Sequence, residues 1–151
     1  MSRHCGPLTL GVLLVALACN GGEAEPPVTR SAVTETTWAV SLTTDRPVYV
    51  RGEDVTLTLV ARNATSAPQT LEFSSGQRYD FAIEDARAAV WRWSASQAFI
   101  QVLGEETVAP GDSLVFRERF TAELSAGRYR AEGIVTRMDD QLRATAEFEI
   151  R

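Results

Sequence analysis

Ser74 and Ser75 open a polar Ser-Ser-Gly-Gln run, a context in which a serine can act as a nucleophile. Such a serine needs a neighbouring base, usually histidine and in some families lysine, to remove its proton. The chain has no lysine, and its one histidine, His4, lies near the N-terminus. We therefore expect a structural turn, in which Gly76 relieves backbone strain and the Gln77 amide satisfies nearby backbone groups.

Acidic side chains are the remaining groups that could do chemistry. A glycosidase needs two carboxylates that face each other across a cleft, and no spacing in this chain indicates such a pair. Both cysteines, Cys5 and Cys19, lie at the N-terminal end, so the later residues offer no histidine or cysteine to bind a metal. We expect a protein that is not an enzyme and has no cofactor.

The N-terminal residues have the pattern of an export signal. Arg3 and His4 precede an apolar stretch, residues 8–17, that is too short to span a bilayer and suits a signal peptide. Ala18 followed by Cys19 resembles the lipobox of bacterial lipoproteins, in which the cysteine becomes the new N-terminus and carries lipid. This resemblance implies that Cys19 is a lipid anchor. The alternative is a plain secretory signal with an incidental cysteine.

These signals divide the chain into three parts. Residues 1–18 are predicted to be a lipoprotein signal peptide, residues 19–36 the anchor cysteine and a flexible linker, and residues 37–151 one folded domain. This order predicts an extracytoplasmic protein on the cell envelope. Because Asn20 stands where an aspartate marks inner-membrane retention in some bacteria, we expect the outer membrane or the periplasmic face.

The net charge argues against one class of partner. The chain has 15 arginines and 20 acidic residues, and without Arg3 its net charge is −6. This charge repels the phosphates of nucleic acid and gives no electrostatic attraction to anionic lipid. We therefore expect no nucleic-acid partner, and contact with the membrane only through the lipid anchor.

From Trp38 onward, apolar and polar residues alternate with the period of half-buried strands. Residues 142–150 show the pattern best, since every second residue there is apolar. Turn-forming glycines and prolines separate the runs, and no long window has the 3.6-residue period of a helix. We predict an all-β fold, an immunoglobulin-like antiparallel sandwich of two sheets and seven to nine strands, without a disulfide.

Aromatic and turn residues recur in a particular order along the second half of the chain. They are Phe73, Ser75, Gly76, Gln77, Tyr79, Asp80, Phe81, Val90, Trp91, Arg92, Trp93, Ser94, Phe99, Pro110, Gly111, Gly127 and Tyr129. This order resembles the signature of the BsuPI-type intracellular proteinase inhibitor domain. The resemblance covers most of the chain after about residue 40, and we interpret the signature residues as mainly structural.

Trp91 and Trp93 lie two positions apart, so on a strand they share a face, with Arg92 on the other. They form either an exposed aromatic platform or a core layer with Phe73, Phe81 and Phe99, and we favour the core layer because large aromatic residues are mostly buried. A further aromatic residue, Tyr129, is placed to form a tyrosine corner, with its hydroxyl on upstream backbone and its ring inside.

The resemblance implies a non-enzymatic domain that blocks a serine proteinase, subtilisin-like in type, by laying a rigid loop in its cleft. Residues 46–53, 104–111 and 137–141 are the candidate loops. The alternative is an envelope lipoprotein whose immunoglobulin-like domain serves adhesion or assembly and has no inhibitory activity. An exposed apolar patch near Trp91 and Trp93 favours the alternative, and a protruding, well-supported loop favours inhibition.

Overall fold

The computed structural model describes residues 33–34 and 37–151, which are largely β-strand. The predicted signal peptide and Cys19 lie outside the described residues. So does the predicted linker, except that residues 33–34 form a short strand. Among the described residues, no helix has the length and apolar character needed to cross a membrane.

The strands alternate with short turns along the chain. They are β1 (Val33–Thr34), β2 (Trp38–Thr44), β3 (Val48–Tyr49), β4 (Asp54–Asn63), β5 (Gln69–Phe73), β6 (Tyr79–Glu84), β7 (Ala89–Arg92), β8 (Gly104–Val108), β9 (Ser113–Thr121), β10 (Gly127–Val135) and β11 (Leu142–Ile150). A single turn of 3₁₀-helix, Trp93–Ser96, follows β7.

Two sheets contain most of these strands. The order is β1-β2-β4-β9 in the first sheet and β3-β11-β10-β6-β7 in the second. The long strand β4 pairs with β2 on one side and β9 on the other. The hairpin of β10 and β11 pairs Gly127 with Ile150 at one end and Val135 with Leu142 at the other. On the other side of β10 lies β6, which also pairs with β7.

The core lies between the facing sides of these two sheets. In β2, β4 and β11 every second residue is buried, as the alternation predicts. Gly133 of β10 shows how close the sheets approach, because a Cβ there would lie 3.0 Å from Leu59 Cδ1 and 3.2 Å from Leu42 Cδ1. The predicted all-β fold of antiparallel sheets is confirmed. Residues 37–151 contain no cysteine, so packing and hydrogen bonds hold the domain together.

Strand number and pairing differ from the prediction. The described residues form eleven strands, of which nine have four or more residues, where the sequence predicts seven to nine. The pair β3 and β11 is parallel, and β5 and β8 form a third sheet of two strands. Alternation shows which side of a strand is buried but contains no information on which strand lies beside it.

The prediction of a loop at residues 104–111 is wrong for most of its length. Gly104–Val108 is strand β8, antiparallel to β5, and a turn follows it. Within β8 only Val108 is buried, because this two-stranded sheet gives β8 little core to face. The strand therefore lacks the alternation by which the other strands were predicted. Among the described strands its one neighbour is β5, so β8 has an open edge.

Candidate functional site

A buried carboxylate connects two parts of the signature. Asp80 lies on β6 and is 4% exposed, although its neighbour Phe81 points into the core. Asp80 Oδ1 accepts hydrogen bonds from the amides of Phe81 (2.9 Å) and Ser94 (3.1 Å). Asp80 Oδ2 accepts from Arg92 Nη1 and from Ser94 Oγ, both at 2.7 Å. The Asp80 cluster, these four residues, thus attaches the 3₁₀ turn after β7 to the sheet.

The two tryptophans do not share a strand, and that prediction is wrong. Trp91 is in β7, but Trp93 begins the 3₁₀ turn, and its neighbours Arg92 and Ser94 both bind the Asp80 carboxylate. Both indoles are half-buried. The ring of Trp91 lies 5.0 Å from that of Phe120. The tryptophans therefore border the core instead of forming an exposed platform.

Phe73 and Phe81 of the predicted aromatic layer are fully buried, and Phe99 is half-buried. Tyr79 lies at the border of this layer. Its ring stacks on Trp93 at 4.5 Å and on Phe116 at 4.6 Å. Its hydroxyl donates to Glu118 Oε1 at 2.6 Å. Burial, and secondly this hydrogen bond, raises the pKa of Tyr79 to about 12, so the phenol remains a neutral donor near pH 7.

The turn at residues 74–78 binds a neighbouring segment. The Gly76 amide donates to the Ile100 carbonyl at 2.8 Å, and a Cβ at Gly76 would lie 2.9 Å from Ile100 Cγ1. Gly76 does not have a positive φ, so the expectation that it relieves backbone strain is wrong. Glycine instead leaves room for the Ile100 side chain, which a side chain at position 76 would crowd. The expected role of Gln77 is confirmed, since its amide donates to the Tyr79 carbonyl at 3.2 Å.

Arg78 connects the same turn to β8. Its Nη1 donates to the Ser75 carbonyl at 2.6 Å, and its guanidinium lies over the Phe73 ring at 4.5 Å. Its Nε lies 3.5 Å from Glu106 of β8. The guanidinium packs so tightly over Gly104 that a Cβ there would meet Nη2 at 2.3 Å. Arg78 thus holds the turn at residues 74–78 against the start of β8.

Residues 97–103, the presented segment, connect the 3₁₀ turn to β8 and expose apolar side chains. Ile100 and Leu103 are each 72% exposed and Val102 is 58% exposed, while Phe99 packs on Trp93 at a ring distance of 5.8 Å. The sequence predictions missed this segment except for Phe99. In the sequence, residues 98–103 form a mostly apolar run without turn-forming residues. Such a run is also typical of a buried strand, so the sequence alone does not show that its side chains are exposed.

Beside the presented segment lies a shallow pocket of about 380 Å³. Phe73, Leu103 and Met138 supply its apolar lining, and Glu72 and Glu105 its acidic lining. Glu72 and Glu105 are direct partners across the β5–β8 pair, and both are exposed. The surface at this end of the molecule therefore combines exposed aliphatic side chains with carboxylates.

Comparison with protein families identifies the domain. The sequence model of the BsuPI family, described as intracellular proteinase inhibitor, matches residues 42–139. The chain belongs to this family. The matched residues include the Asp80 cluster, the turn at 74–78, the presented segment and the pocket beside it.

Three solved structures are similar to the BsuPI domain at low sequence identity, and no curated protein matches the chain. The Pseudomonas fluorescens alkylpurine DNA glycosylase AlkC, bound to DNA containing an abasic site analog, is 19% identical over 74% of this chain and 30% of its own, with a TM-score of 0.45. The β-glucosidase EmGH1 from Erythrobacter marinus is 10% identical over 76% and 15%, with a TM-score of 0.47. The C-terminal domain of Wzt is 10% identical over 74% and 70%, also at 0.47. This chain spans less than a third of the first two proteins.

Other signature residues of the BsuPI domain stabilise turns away from the presented segment. Gly111, after Pro110, has a φ of 78°, and its amide donates to the Asn63 carbonyl at 3.0 Å. Gly127 begins β10. The predicted tyrosine corner is present, because the Tyr129 hydroxyl donates to the Ser125 carbonyl at 2.9 Å. Val90 is an exposed residue of β7.

The two remaining predicted loops differ in position. Residues 46–53 contain β3 and are closed by their own contacts, with Arg46 Nη1 3.3 Å from the Glu53 carboxylate. Residues 137–141 lie beside the pocket, since the Met138 amide donates to the Glu72 carbonyl at 2.7 Å. Of these two loops, residues 137–141 are therefore the one that lies near the presented segment.

We expect Asp80→Ala to lower the free energy of unfolding by about 2–4 kcal/mol, because it leaves the Ser94 amide and hydroxyl without their acceptor. Urea unfolding followed by tryptophan fluorescence measures the change. Glu147→Ala, on the exposed face of β11, is the matched control and should change stability by less than about 0.5 kcal/mol. An Asp80→Ala protein as stable as this control would show that the cluster is not needed.

Proposed function

We propose that this domain binds a serine proteinase of the subtilisin type and blocks it without covalent chemistry. The observation that carries the proposal is the match of the intracellular proteinase inhibitor family over residues 42–139. Non-covalent binding follows from the residue types, because the domain has no histidine or lysine to activate Ser74 or Ser75.

The construction of the domain suits this function. An inhibitor must hold its binding segment in one conformation, since ordering a flexible loop on binding costs affinity. Here the Gly76 hydrogen bond to Ile100 holds the segment itself, and its flanks are held by the Asp80 cluster at Ser94 and by Arg78 beside Gly104. A stiff sandwich with a fixed surface segment is the kind of frame on which binding residues are commonly placed.

A second candidate function is adhesion or assembly on the cell envelope. The exposed side chains of Ile100, Val102 and Leu103 favour it as an apolar surface, and Phe99 connects this surface to Trp93. A supported segment of this kind serves inhibition equally well. Inhibition assays therefore separate the two functions.

We expect the purified full chain to slow at least one subtilisin-like proteinase at an inhibitor concentration of about 1 μM. The assay titrates the chain against subtilisin-like and trypsin-like enzymes with a small peptide substrate. Gel analysis of each mixture shows whether the chain stays intact, which separates inhibition from competition by a degraded substrate. If no enzyme is slowed at about 10 μM, the inhibitor function is excluded and adhesion or assembly becomes the better proposal.

We further propose that Cys19 carries lipid and tethers the domain to the cell envelope, with the outer membrane or the periplasmic face as the site. The support is the sequence pattern of residues 1–19, an apolar stretch closed by Ala18 and Cys19. The linker then lets the domain stand away from the membrane. An envelope location implies that the target is an exported or envelope proteinase.

Cys19→Ser should move the protein from the membrane fraction to the supernatant and abolish incorporation of labelled fatty acid. The reason is that the thiol is the proposed attachment point. Fractionation and labelling of expressing bacteria measure both effects, and Cys5→Ser serves as the control that should change neither. Unchanged partitioning of the Cys19→Ser protein would exclude the lipid anchor and leave a plain secretory signal.

A further inference from the structure

We propose that residues 100–103 of the presented segment enter the cleft of the target proteinase, and that this proteinase accepts aliphatic side chains and has basic residues beside its cleft. The inference rests on the proposed inhibitor function and specifies its binding surface and partner. Three observations support it: the exposure of the segment, the state of its backbone and the charge around it.

The exposure of the segment is unusual for a surface of a domain this size. Ile100, Val102 and Leu103 are large aliphatic residues, more than half exposed, within four consecutive positions. Single exposed apolar residues are common, but contiguous ones mark interaction sites. Val50 and Val115 are exposed by 60% and 50% but lie on other elements, β3–β4 and β9, so they provide matched single-residue controls.

The backbone of the segment is available for pairing. In the described chain, none of the amides of residues 98–103 donates a hydrogen bond to another protein group. The Ile100 carbonyl accepts from Gly76, which fixes the segment without using those amides. Proteinase clefts bind extended chains by adding a strand, through main-chain hydrogen bonds and pockets for side chains. A held segment whose amides have no protein acceptor can supply main-chain donors for such pairing, and its exposed side chains can fill the pockets.

The side chains select the class of enzyme. Residues 97–103 contain no arginine or lysine, so they do not fit an enzyme whose specificity pocket binds a basic side chain. Ile100, Val102 and Leu103 fit a cleft with apolar pockets. The inferred target is therefore a proteinase that prefers aliphatic residues around the cleaved bond.

The charges beside the segment predict the surroundings of that cleft. Glu72 and Glu105 face each other across β5 and β8, an arrangement that destabilises a strand pair. Asp139 and Asp140 follow Met138, which lines the same pocket as these glutamates. Basic residues on the partner would relieve this repulsion and speed association. The acidic surface thus fits a partner with basic residues at its rim.

The experiment measures the inhibition constant of full-chain variants against the most strongly inhibited enzyme. Ile100→Ala and Leu103→Ala should each weaken inhibition by about 10- to 100-fold, because they remove side chains buried only in the complex. Val50→Ala and Val115→Ala should change it by less than about twofold. The urea midpoints of all four variants should be unchanged from that of wild type, and Leu103→Met should retain inhibition.

A charge variant tests the second part of the inference. Glu105→Arg should slow association by about three- to tenfold at low salt, with a smaller effect at high salt. It should also raise the urea midpoint, because it removes the repulsion from Glu72. These opposite changes separate a role in binding from a role in folding.

The outcomes distinguish failure of this inference from failure of the inhibitor function. If wild type inhibits and both Ile100→Ala and Leu103→Ala inhibit equally well, the segment is not the binding segment, although the domain remains an inhibitor. If Glu105→Arg binds as fast as wild type at low salt, the target proteinase does not have the inferred basic residues beside its cleft. If wild type inhibits no proteinase, the inhibitor function fails and this inference fails with it.

Discussion

The Asp80 carboxylate is the interaction on which the candidate site depends. It lies on the outer side of β6, is almost fully buried, and accepts hydrogen bonds from four donors. A buried carboxylate without such donors would cost several kcal/mol, so the side chains of Arg92 and Ser94 are required where they are. Arg92 and Ser94 flank Trp93, so the carboxylate holds the end of β7 and the start of the 3₁₀ turn against β6. One buried carboxylate therefore anchors the chain just before the presented segment.

The remaining signature residues hold that segment in place. Gly76 allows close approach to Ile100, Arg78 packs over Gly104, and Trp93 packs between Tyr79 and Phe99. The signature residues, including those of the serine-containing turn at 74–78, thus have a structural role and support the presented segment. The aliphatic side chains of the segment itself are exposed to solvent, where they can meet a partner without disturbing the core.

The sequence predicts the fold well where one side of a strand faces the core. Alternation in β4 and β11 identifies their buried faces, and Tyr129 makes the hydrogen bond that its position suggests. Prediction fails where no core face exists, as in β8, or where a distant residue determines the conformation. Trp93 begins a 3₁₀ turn whose Ser94 binds the distant Asp80, and a side chain at position 76 would crowd that of Ile100. Exposure of Ile100 depends on tertiary structure, so an apolar run alone could not reveal it.

Hydrogen–deuterium exchange of the inhibitor in complex with a catalytically inactive target proteinase tests the central claim most directly. The amides of residues 98–103 have no protein acceptor in the free chain and should exchange fast. Binding should slow their exchange strongly, while the amides of residues 46–53 exchange as they do in the free chain. Unchanged exchange at residues 98–103, with protection at residues 46–53 or on a sheet face, would contradict it.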